Sequence, residues 1–378
     1  MRKVLVLAGS LVVLLMLSAL QMSCSDKSVS PTPGKESKPA LLAVATVAAD
    51  YSAGNFDIIS EDYTAEPDLL PGLYTDLVAR ARGRYVYILE RYGRDKVIKY
   101  DSKDRKKEYE EVLGPDLNIQ DIAIVSDTKA YISALESGGL IVFDPATGKK
   151  TSTIDLSSFN TYAGTDSAEA SPFASALAVY GDYVYVACQR LKTVQTDWGS
   201  SFVPADTSLI AVIDSRDNTV SASIKLSKKN PASISVSGNR LLVSSSGDWY
   251  DPDVPGGVEL IDLDNNTNLG VVAEKSAFGG SISTVVFVSP DKAYINVMGA
   301  DWTTGIVQFN PTAKTVGAAI GGISDGSGGL AYDGSKLYAG ERGAATNGVL
   351  VINPNTNAVE RTIATGMPPL SIAVIFAD

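Results

Sequence analysis

The sequence of 378 residues contains no histidine and two cysteines, Cys24 and Cys188. The lack of histidine excludes a Ser-His-Asp or Cys-His nucleophile, a zinc site with imidazole ligands and a haem ligated by histidine. Two cysteines are too few for a zinc ribbon or an iron–sulfur cluster. Any chemistry would depend on carboxylates, Tyr, Lys or Arg, and the sequence predicts no catalytic residue, metal site or cofactor.

Basic residues are also scarce, with 32 Lys and Arg against 43 Asp and Glu, which gives a net charge of −11. A field of this sign repels phosphate backbones and anionic lipid headgroups, and it disfavours nucleic-acid binding. The chain is nevertheless 45% hydrophobic and 20% charged. It therefore has the composition of a folded domain with a large core, not of a disordered protein.

The N-terminus has the pattern of an export signal, predicted over residues 1–23. Arg2 and Lys3 precede an apolar run at 4–20, which is short for a ~30 Å hydrocarbon core and so favours a cleaved leader. Ser23-Cys24 resembles the end of a bacterial lipobox, although Gln21 stands where that pattern usually has Leu. The resemblance implies acylation of Cys24, and ordinary secretion is the alternative.

The residue after Cys24 is Ser25, not the aspartate that retains some lipoproteins in the inner membrane. The lipobox resemblance therefore favours an outer-membrane anchor, with the periplasmic and surface sides both open. Residues 24–39 are polar and rich in Ser, Pro and Lys, which predicts a flexible tether. Contact with the membrane is expected through the lipid alone.

A pattern of an apolar strand followed by a polar turn recurs along the chain. Its six copies are VIKYDSKDRKK (97–107), LIVFDPATGKK (140–150), IAVIDSRDNTV (210–220), VELIDLDNNTN (258–268), IVQFNPTAKTV (306–316) and VLVINPNTNAV (349–359). The Asp or Asn that closes each strand is typical of a hairpin turn, in which its side chain accepts backbone N–H bonds. These residues are Asp101, Asp144, Asp214, Asp262, Asn310 and Asn353. Residues 262–265 are interpreted as such a turn and not as a calcium loop, since the other ligands and the distal Glu are missing.

Further apolar strands predict a closed ring of seven units. Seven first strands occur, at 76–81, 121–125, 176–180, 233–237, 284–288, 329–333 and 371–375. Only six complete units follow them, so the N-terminal segments 41–51 and 55–59 would supply strands of the seventh. Pairing of N-terminal with C-terminal strands closes a β-propeller and removes its sheet edge. The predicted fold is all-β, a seven-bladed propeller of four-stranded antiparallel blades over residues 40–378.

The repeat resembles the YncE-like group of bacterial propellers, related in pattern to NHL and surface-layer propellers. SIAVI (371–375), YVYVAC (183–188) and VLVINPNTNAV (349–359) match the I-A-V, L-Y-V-A and V-x-V-I-D-x-x-T-N-x-V segments of those blades. The resemblance covers residues 40–378 and implies a scaffold, because the matching residues occupy core and turn positions. Cys188 ends an apolar run, which predicts a buried structural thiol.

The loops between the second and third strands of each blade carry the candidate site. In a four-stranded blade these loops emerge on one face of the disc together with the links between blades, and we call this the 2–3 face. The candidate ligand-binding residues on it are Asp197, Trp198, Asp248, Trp249, Asp301, Trp302, Asp50, Tyr51, Arg91 and Tyr92. The two remaining blades contribute Glu136 and the pair Glu341-Arg342 to the same face.

Two interpretations of this pattern remain open. Aromatic faces beside carboxylates suit sugar rings, cationic groups or the Arg and Lys of a protein partner. Alternatively, each aromatic side chain packs over the neighbouring blade while its Asp caps the loop. Insertions at 189–207, 246–257 and 158–172 lie on the same face and favour binding, since uneven insertions usually belong to the binding face.

The leading hypothesis is a non-catalytic, monomeric cell-envelope lipoprotein whose 2–3 face binds or assembles with a protein or glycan. A second hypothesis is a metal-assisted hydrolase or lactonase at the mouth of the central channel. On this hypothesis Asp197, Asp248, Asp301 and Glu136 would supply an acid pair at the separation found in glycosidases, or carboxylates for a divalent cation. A third is an accessory subunit, without a cofactor of its own, of an outer-membrane or electron-transfer assembly.

Overall fold

The computed structural model describes residues 42–376 apart from 161–170, 197–198, 206, 249–250, 252, 344 and 346. These ranges contain seven four-stranded antiparallel sheets and one two-stranded sheet. Two short helices accompany them, a 3₁₀-helix at Ser157–Phe159 and an α-helix at Lys275–Phe278. In the described part of the chain, no helix is long and apolar enough to cross a membrane.

The seven sheets are the predicted blades, numbered here from the one that closes the ring. Their first strands, from blade 1 to blade 7, are Pro369–Val374, Leu77–Arg82, Ile119–Ser126, Ala174–Tyr180, Pro231–Ser237, Ser281–Ser289 and Leu330–Tyr332. Their second strands are Leu42–Val47, Tyr85–Glu90, Lys129–Ala134, Tyr183–Cys188, Arg240–Ser245, Lys292–Met298 and Leu337–Glu341.

The outer half of each blade follows in the same order. The third strands are Gly54–Ile59, Lys96–Asp101, Gly139–Asp144, Leu209–Asp214, Gly257–Asp262, Thr304–Asn310 and Gly348–Asn353. The fourth strands are Ala65–Glu66, Lys106–Val112, Lys149–Asp155, Thr219–Lys225, Thr267–Glu274, Thr315–Ala319 and Ala358–Ile363. The predicted fold class, a seven-bladed propeller of four-stranded antiparallel blades, is confirmed.

The ring closes as the sequence predicted. Leu42 pairs with Val374 and Thr46 with Pro369, so the C-terminal strand forms an antiparallel ladder with the first N-terminal strand. Blade 1 therefore takes its first strand from one end of the chain and the other three from the opposite end. Through this closure the strand Leu42–Val47 is paired along both of its edges.

Side-chain burial explains why the strands differ in sequence. The second strand of blade 4 is covered on both sides, and residues 184–188 are all fully buried, which requires a continuous apolar run. The fourth strand of that blade, Thr219–Lys225, covers the blade on one side and exposes most of its side chains. Cys188 is fully buried as predicted, and burial raises the pKa of its thiol to about 12.

The hydrophobic cores lie between neighbouring blades. Blades 4 and 5, for example, jointly bury Ile210 and Val212 from one sheet against Leu241 and Val243 from the next. A blade on its own would therefore expose the apolar side chains that it now buries against its neighbours. Each blade depends on its neighbours, as expected for a repeat protein.

All six predicted strand-end turns are confirmed. In each turn, a side-chain oxygen of the Asp or Asn accepts the backbone N–H of a residue two or three positions further on. The bonds run from Lys103 to Asp101 (3.0 Å), Ala146 to Asp144 (2.9 Å), Arg216 to Asp214 (2.9 Å), Asp264 to Asp262 (3.0 Å), Ala313 to Asn310 (2.8 Å) and Asn355 to Asn353 (2.9 Å). The turn at 262–265 uses its Asp in this way, which agrees with the turn interpretation.

These turns also connect neighbouring blades on the face opposite the 2–3 face, which we call the 3–4 face. A buried tyrosine of the second strand donates its hydroxyl proton to the side chain of a turn Asn in the following blade. The pairs are Tyr131 with Asn218 (2.6 Å), Tyr185 with Asn266 (2.8 Å) and Tyr294 with Asn357 (2.7 Å). The three Asn residues have positive φ angles of 63°, 50° and 59°, a conformation that Asn tolerates better than most residues.

One segment differs from what the sequence predicted. The insertion at 189–207, expected as a long loop, contains a hairpin whose strands are Leu191–Thr196 and Gly199–Pro204. The sequence of this segment is too polar to predict core strands. The hairpin extends from the blade, and the buried Leu191 anchors it there.

Candidate functional site

The structure places the described candidate residues in the predicted loops of the 2–3 face. Asp50 and Tyr51 follow the second strand of blade 1, and Arg91 and Tyr92 follow that of blade 2. Asp248, Asp301 and Trp302 follow the second strands of blades 5 and 6. Asp197, Trp198, Trp249 and the lipidation candidate Cys24 lie outside the described residues.

Two of these loops, in blades 1 and 6, have the same geometry although the blades are far apart in sequence. Asp50 Oδ1 accepts the N–H of Ser52 at 3.0 Å, and Asp301 Oδ1 accepts the N–H of Thr303 at 3.2 Å. These bonds, together with those from the hydroxyls, lower the pKa of both Asp50 and Asp301. The Asp of each loop therefore acts as an Asx-turn cap, which is the structural role considered above.

The aromatic residue between each Asp and its Ser or Thr has a positive φ angle. The angle is 56° at Tyr51 and 66° at Trp302, a region that bulky side chains rarely occupy. The turn directs both rings outward, leaving Tyr51 58% and Trp302 71% exposed. Tyr92 in blade 2 is 60% exposed as well. All three rings are therefore largely accessible to solvent, and the Tyr51 ring is also contacted by a residue of the neighbouring blade 7.

A cationic side chain contacts one of the exposed rings, and another precedes Tyr92 in the sequence. The guanidinium of Arg342, from blade 7, lies 5.5 Å from the ring centroid of Tyr51 and donates to a carbonyl of the ring closure, Pro369 O, at 2.6 Å. Arg91 is held by Asp76, with Nε 2.8 Å from Oδ1, and its Nη1 donates to Gln120 Oε1 at 3.2 Å. Both arginines are therefore fixed by neighbours and present an ordered surface.

Glu341, expected on the 2–3 face, is instead buried beneath it. Its side chain is 1% exposed, and its two oxygens accept the N–H groups of Ser324 (2.8 Å), Asp325 (2.8 Å) and Gly343 (2.7 Å). These bonds hold the link that enters blade 7. Glu136 is more accessible, and it accepts a bond from Asn118 Nδ2 at 3.0 Å.

A pocket of about 730 Å³ opens on the 2–3 face between blades 5 and 6. Trp302 lies at its edge, and the remaining wall combines small backbone-rich positions with a few charged side chains. Those side chains are Asp253, Glu274 and Lys275. Lys275 Nζ donates to the carbonyl of Asp248 at 3.0 Å, and Glu274 accepts from Lys228 Nζ at 2.6 Å. The pocket joins two loops that the sequence predicted separately.

Phe202 is an exposed aromatic residue that sequence reasoning missed. It lies on the inserted hairpin of blade 4, is 43% exposed and makes an edge-to-face contact with Phe173 at 5.2 Å. No charged neighbour marks it in the sequence, and its place on the 2–3 face depends on the hairpin. With Tyr51, Tyr92 and Trp302, it makes four exposed aromatic residues on this face of the described chain.

The hydrolase hypothesis requires carboxylates close enough to share a cation. Within the described ranges, no group of three or more His, Cys, Asp or Glu side chains could hold a metal ion. Asp248 and Asp301 are instead engaged with their own loops, where Asp248 Oδ1 accepts the N–H of Asp251 at 3.3 Å. Asp197 of that hypothesis lies outside the described residues.

No protein-family model matches the sequence, and no curated protein matches it significantly. Solved structures do resemble it. Hydrazine synthase of Kuenenia stuttgartiensis is 17% identical, with 79% of this chain and 88% of that chain covered and a TM-score of 0.58. The dihydro-heme d1 dehydrogenase NirN, solved in complex with DHE, is 15% identical over 91% and 77%, with a TM-score of 0.55.

Apo AztD from Citrobacter koseri is also similar, at 12% identity over 89% of this chain and 98% of that chain, with a TM-score of 0.51. At such low identities these similarities concern the fold alone. They agree with the seven-bladed propeller described above.

Proposed function

We propose that the chain is a non-catalytic binding module of the cell envelope, whose 2–3 face contacts a glycan or a protein. The resemblance of its repeat to YncE-like propellers agrees with a scaffold role. The exposed aromatic residues are concentrated on the 2–3 face, which supports this face as the binding surface. Of the five aromatic residues with large exposure in the described chain, four lie there and one, Phe376, lies elsewhere. Aromatic residues exposed mainly on one face are typical of interaction surfaces.

The observation that carries the proposal is the position of Trp302. Its indole is 71% exposed at the edge of a pocket of about 730 Å³, and a backbone conformation that is unfavourable for Trp directs it there. The pocket volume lies within the range of small-ligand sites, roughly 300–1,000 Å³. A sugar ring stacked on the indole, with its hydroxyls near Glu274 and Lys275, fits this arrangement.

Titration of the purified chain against envelope glycans and their fragments, followed by tryptophan fluorescence and calorimetry, tests the proposal. Trp302→Ala is expected to weaken binding about tenfold or more while changing the free energy of unfolding by less than about 0.5 kcal/mol. Leu269→Ala is the matched control, because Leu269 is 46% exposed on an outer strand of blade 5. Equal loss of binding in both variants, or a large loss of stability in Trp302→Ala, would contradict the proposal.

Absence of glycan binding would leave a protein as the partner of the 2–3 face. Site-specific crosslinking from position 302 in intact cells separates the two cases. A defined protein adduct that forms from position 302 and not from position 269 supports a protein partner. If neither glycan binding nor a specific adduct occurs, the 2–3 face is not a binding surface.

We further propose that Cys24 carries a lipid that anchors the propeller in the envelope. The support for this is the sequence pattern at residues 1–24. Metabolic labelling with a fatty acid is expected to mark the chain and to be lost in Cys24→Ala, while the Cys188→Ala variant stays labelled. Because Cys188 is fully buried, labelling that depends on Cys188 would contradict the proposed anchor.

A further inference from the structure

The central channel is a second cavity, separate from the pocket between blades 5 and 6. It has a volume of about 540 Å³ and is lined by the first strands of all seven blades. Among the described residues that line it, the charged ones are Arg80, Arg91 and Asp121, all from blades 2 and 3. The other blades contribute small, hydroxyl-bearing or apolar side chains. The charged side chains of the channel wall are therefore confined to one side, and a small number of placed polar groups is typical of sites that orient a small ligand.

Arg80 is positioned by a carboxylate that lies behind it. Its Nε is 2.7 Å from Asp121 Oδ1, and the Asp121 side chain is 6% exposed while that of Arg80 is 38% exposed. Asp121 also accepts the N–H groups of Ile122 at 2.9 Å and Leu177 at 3.0 Å. The carboxylate is thus fully engaged in joining three blades. The guanidinium is the part of the pair that the channel exposes.

The remaining donors of Arg80 are only partly used. Nη1 donates to Ala79 O at 2.9 Å, and among the described residues Nη2 has no protein acceptor. A second guanidinium, that of Arg91, lines the same channel on the 2–3 side. Guanidinium groups held by a carboxylate in this way are oriented for carboxylate or phosphate oxygens.

Serine hydroxyls add further donors to the wall. Three channel serines each accept a backbone N–H from the next blade, which leaves their own O–H to donate. The bonds run from Ala79 to Ser371 (3.2 Å), Val285 to Ser233 (3.2 Å) and Phe287 to Ser235 (2.9 Å). The same bonds occupy backbone N–H groups along the inner edges of the blades. Ser371, Ser233 and Ser235 therefore supply hydroxyl donors from blades 1 and 5, in addition to the guanidinium groups of blade 2.

We propose that the central channel binds a small molecule through a carboxylate or phosphate group, which Arg80 holds. A wall of guanidinium and hydroxyl donors complements anionic oxygens. The net charge of −11 repels an approaching anion. Salt screens this repulsion beyond about 10 Å at 0.1 M, so it does not prevent binding to a nearby guanidinium.

Calorimetric titration of the full chain with inorganic phosphate and with succinate tests this site, with glucose as the uncharged comparison. Saturable binding of at least one anion, without binding of glucose, is expected. Arg80→Gln should weaken it about tenfold or more, since a hydrogen bond to a charged group contributes about that factor. Arg82→Gln is the matched control on the same strand, where Nη1 donates to Ile124 O at 3.0 Å outside the channel.

A second variant keeps the test decisive if Arg80→Gln fails to fold after losing the Asp121 pair. Ala232 lines the channel from blade 5 and is exposed, so Ala232→Trp narrows the cavity and leaves that pair in place. Loss of anion binding in Ala232→Trp, with Trp302→Ala unchanged, supports the channel site independently of the 2–3 face. The proposal is overturned if neither anion binds saturably, or if Ala232→Trp or a folded Arg80→Gln binds as tightly as Arg82→Gln.

Discussion

The two faces of this disc are made by the same seven blades, yet they differ in regularity. On the 3–4 face, six blades repeat one turn, and three tyrosine–asparagine bonds fasten it to the preceding blade. On the 2–3 face, loop length and sequence change from blade to blade, and four aromatic side chains are exposed. The fold thus uses one face to hold the ring together, which leaves the other free to vary.

Tyr185→Ala should have the largest effect, because it removes a fully buried ring together with its bonds to blade 5 on the 3–4 face. We expect a loss of about 3–5 kcal/mol in the free energy of unfolding from the cavity that remains. Tyr185→Phe keeps the ring and should cost about 1 kcal/mol for the lost hydrogen bond. Chemical denaturation measures both, and equal losses would show that the ring contributes nothing beyond its hydroxyl.

Glu341→Gln tests whether the backbone beneath the 2–3 face is as firmly held as the opposite face. A glutamine has one carbonyl oxygen, so its amide nitrogen would meet at least one of the N–H donors that the buried carboxylate now accepts. We expect a loss of about 1–3 kcal/mol. Glu136→Gln serves as the control, because its amide oxygen can still accept from Asn118, and it should be near neutral.

Trp302→Gly should change the free energy of unfolding less than these variants do, and should raise it instead of lowering it. Glycine adopts the positive φ of 66° without steric cost, so stability is expected to stay unchanged or to rise by about 1 kcal/mol. Thermal unfolding monitored by circular dichroism measures the change, and Tyr51→Gly at φ 56° should behave alike. A loss above about 2 kcal/mol would mean that the indole packs as a core residue.

The smallest effect concerns pH at the regular turns. A hydrogen bond from the Arg216 side chain lowers the pKa of Asp214 to about 2, below the unfolded value of 3.8. The stabilisation from this carboxylate is therefore present above pH 4 and is lost as pH falls towards 2. NMR titration of the carboxyl group measures the pKa directly. In Arg216→Gln it should return towards 3.8, and an unchanged pKa would assign the shift to the turn alone.

Sequence reasoning performed unevenly across the molecule for a physical reason. The strand-end turns were predictable because an Asp or Asn and the N–H groups it accepts lie within three residues of each other. The Tyr185–Asn266 bond was not, although both residues are visible in the repeat, because it joins positions 81 apart. The positive φ angle of Trp302 was not predictable from the sequence either, since Trp rarely adopts such an angle.

The sequence by itself determined the seven blades, the closure of the ring and the buried Cys188, because strand alternation and turn chemistry are local and repeat along the chain. Tertiary structure alone decided which side chains face a cavity. Arg80 and Asp121 meet across two blades, and Trp302 borders a pocket whose other wall is blade 5. Contacts of this kind depend on how neighbouring blades pack against each other. Because the blades share one sequence pattern, that pattern does not show which of their non-repeated residues come into contact.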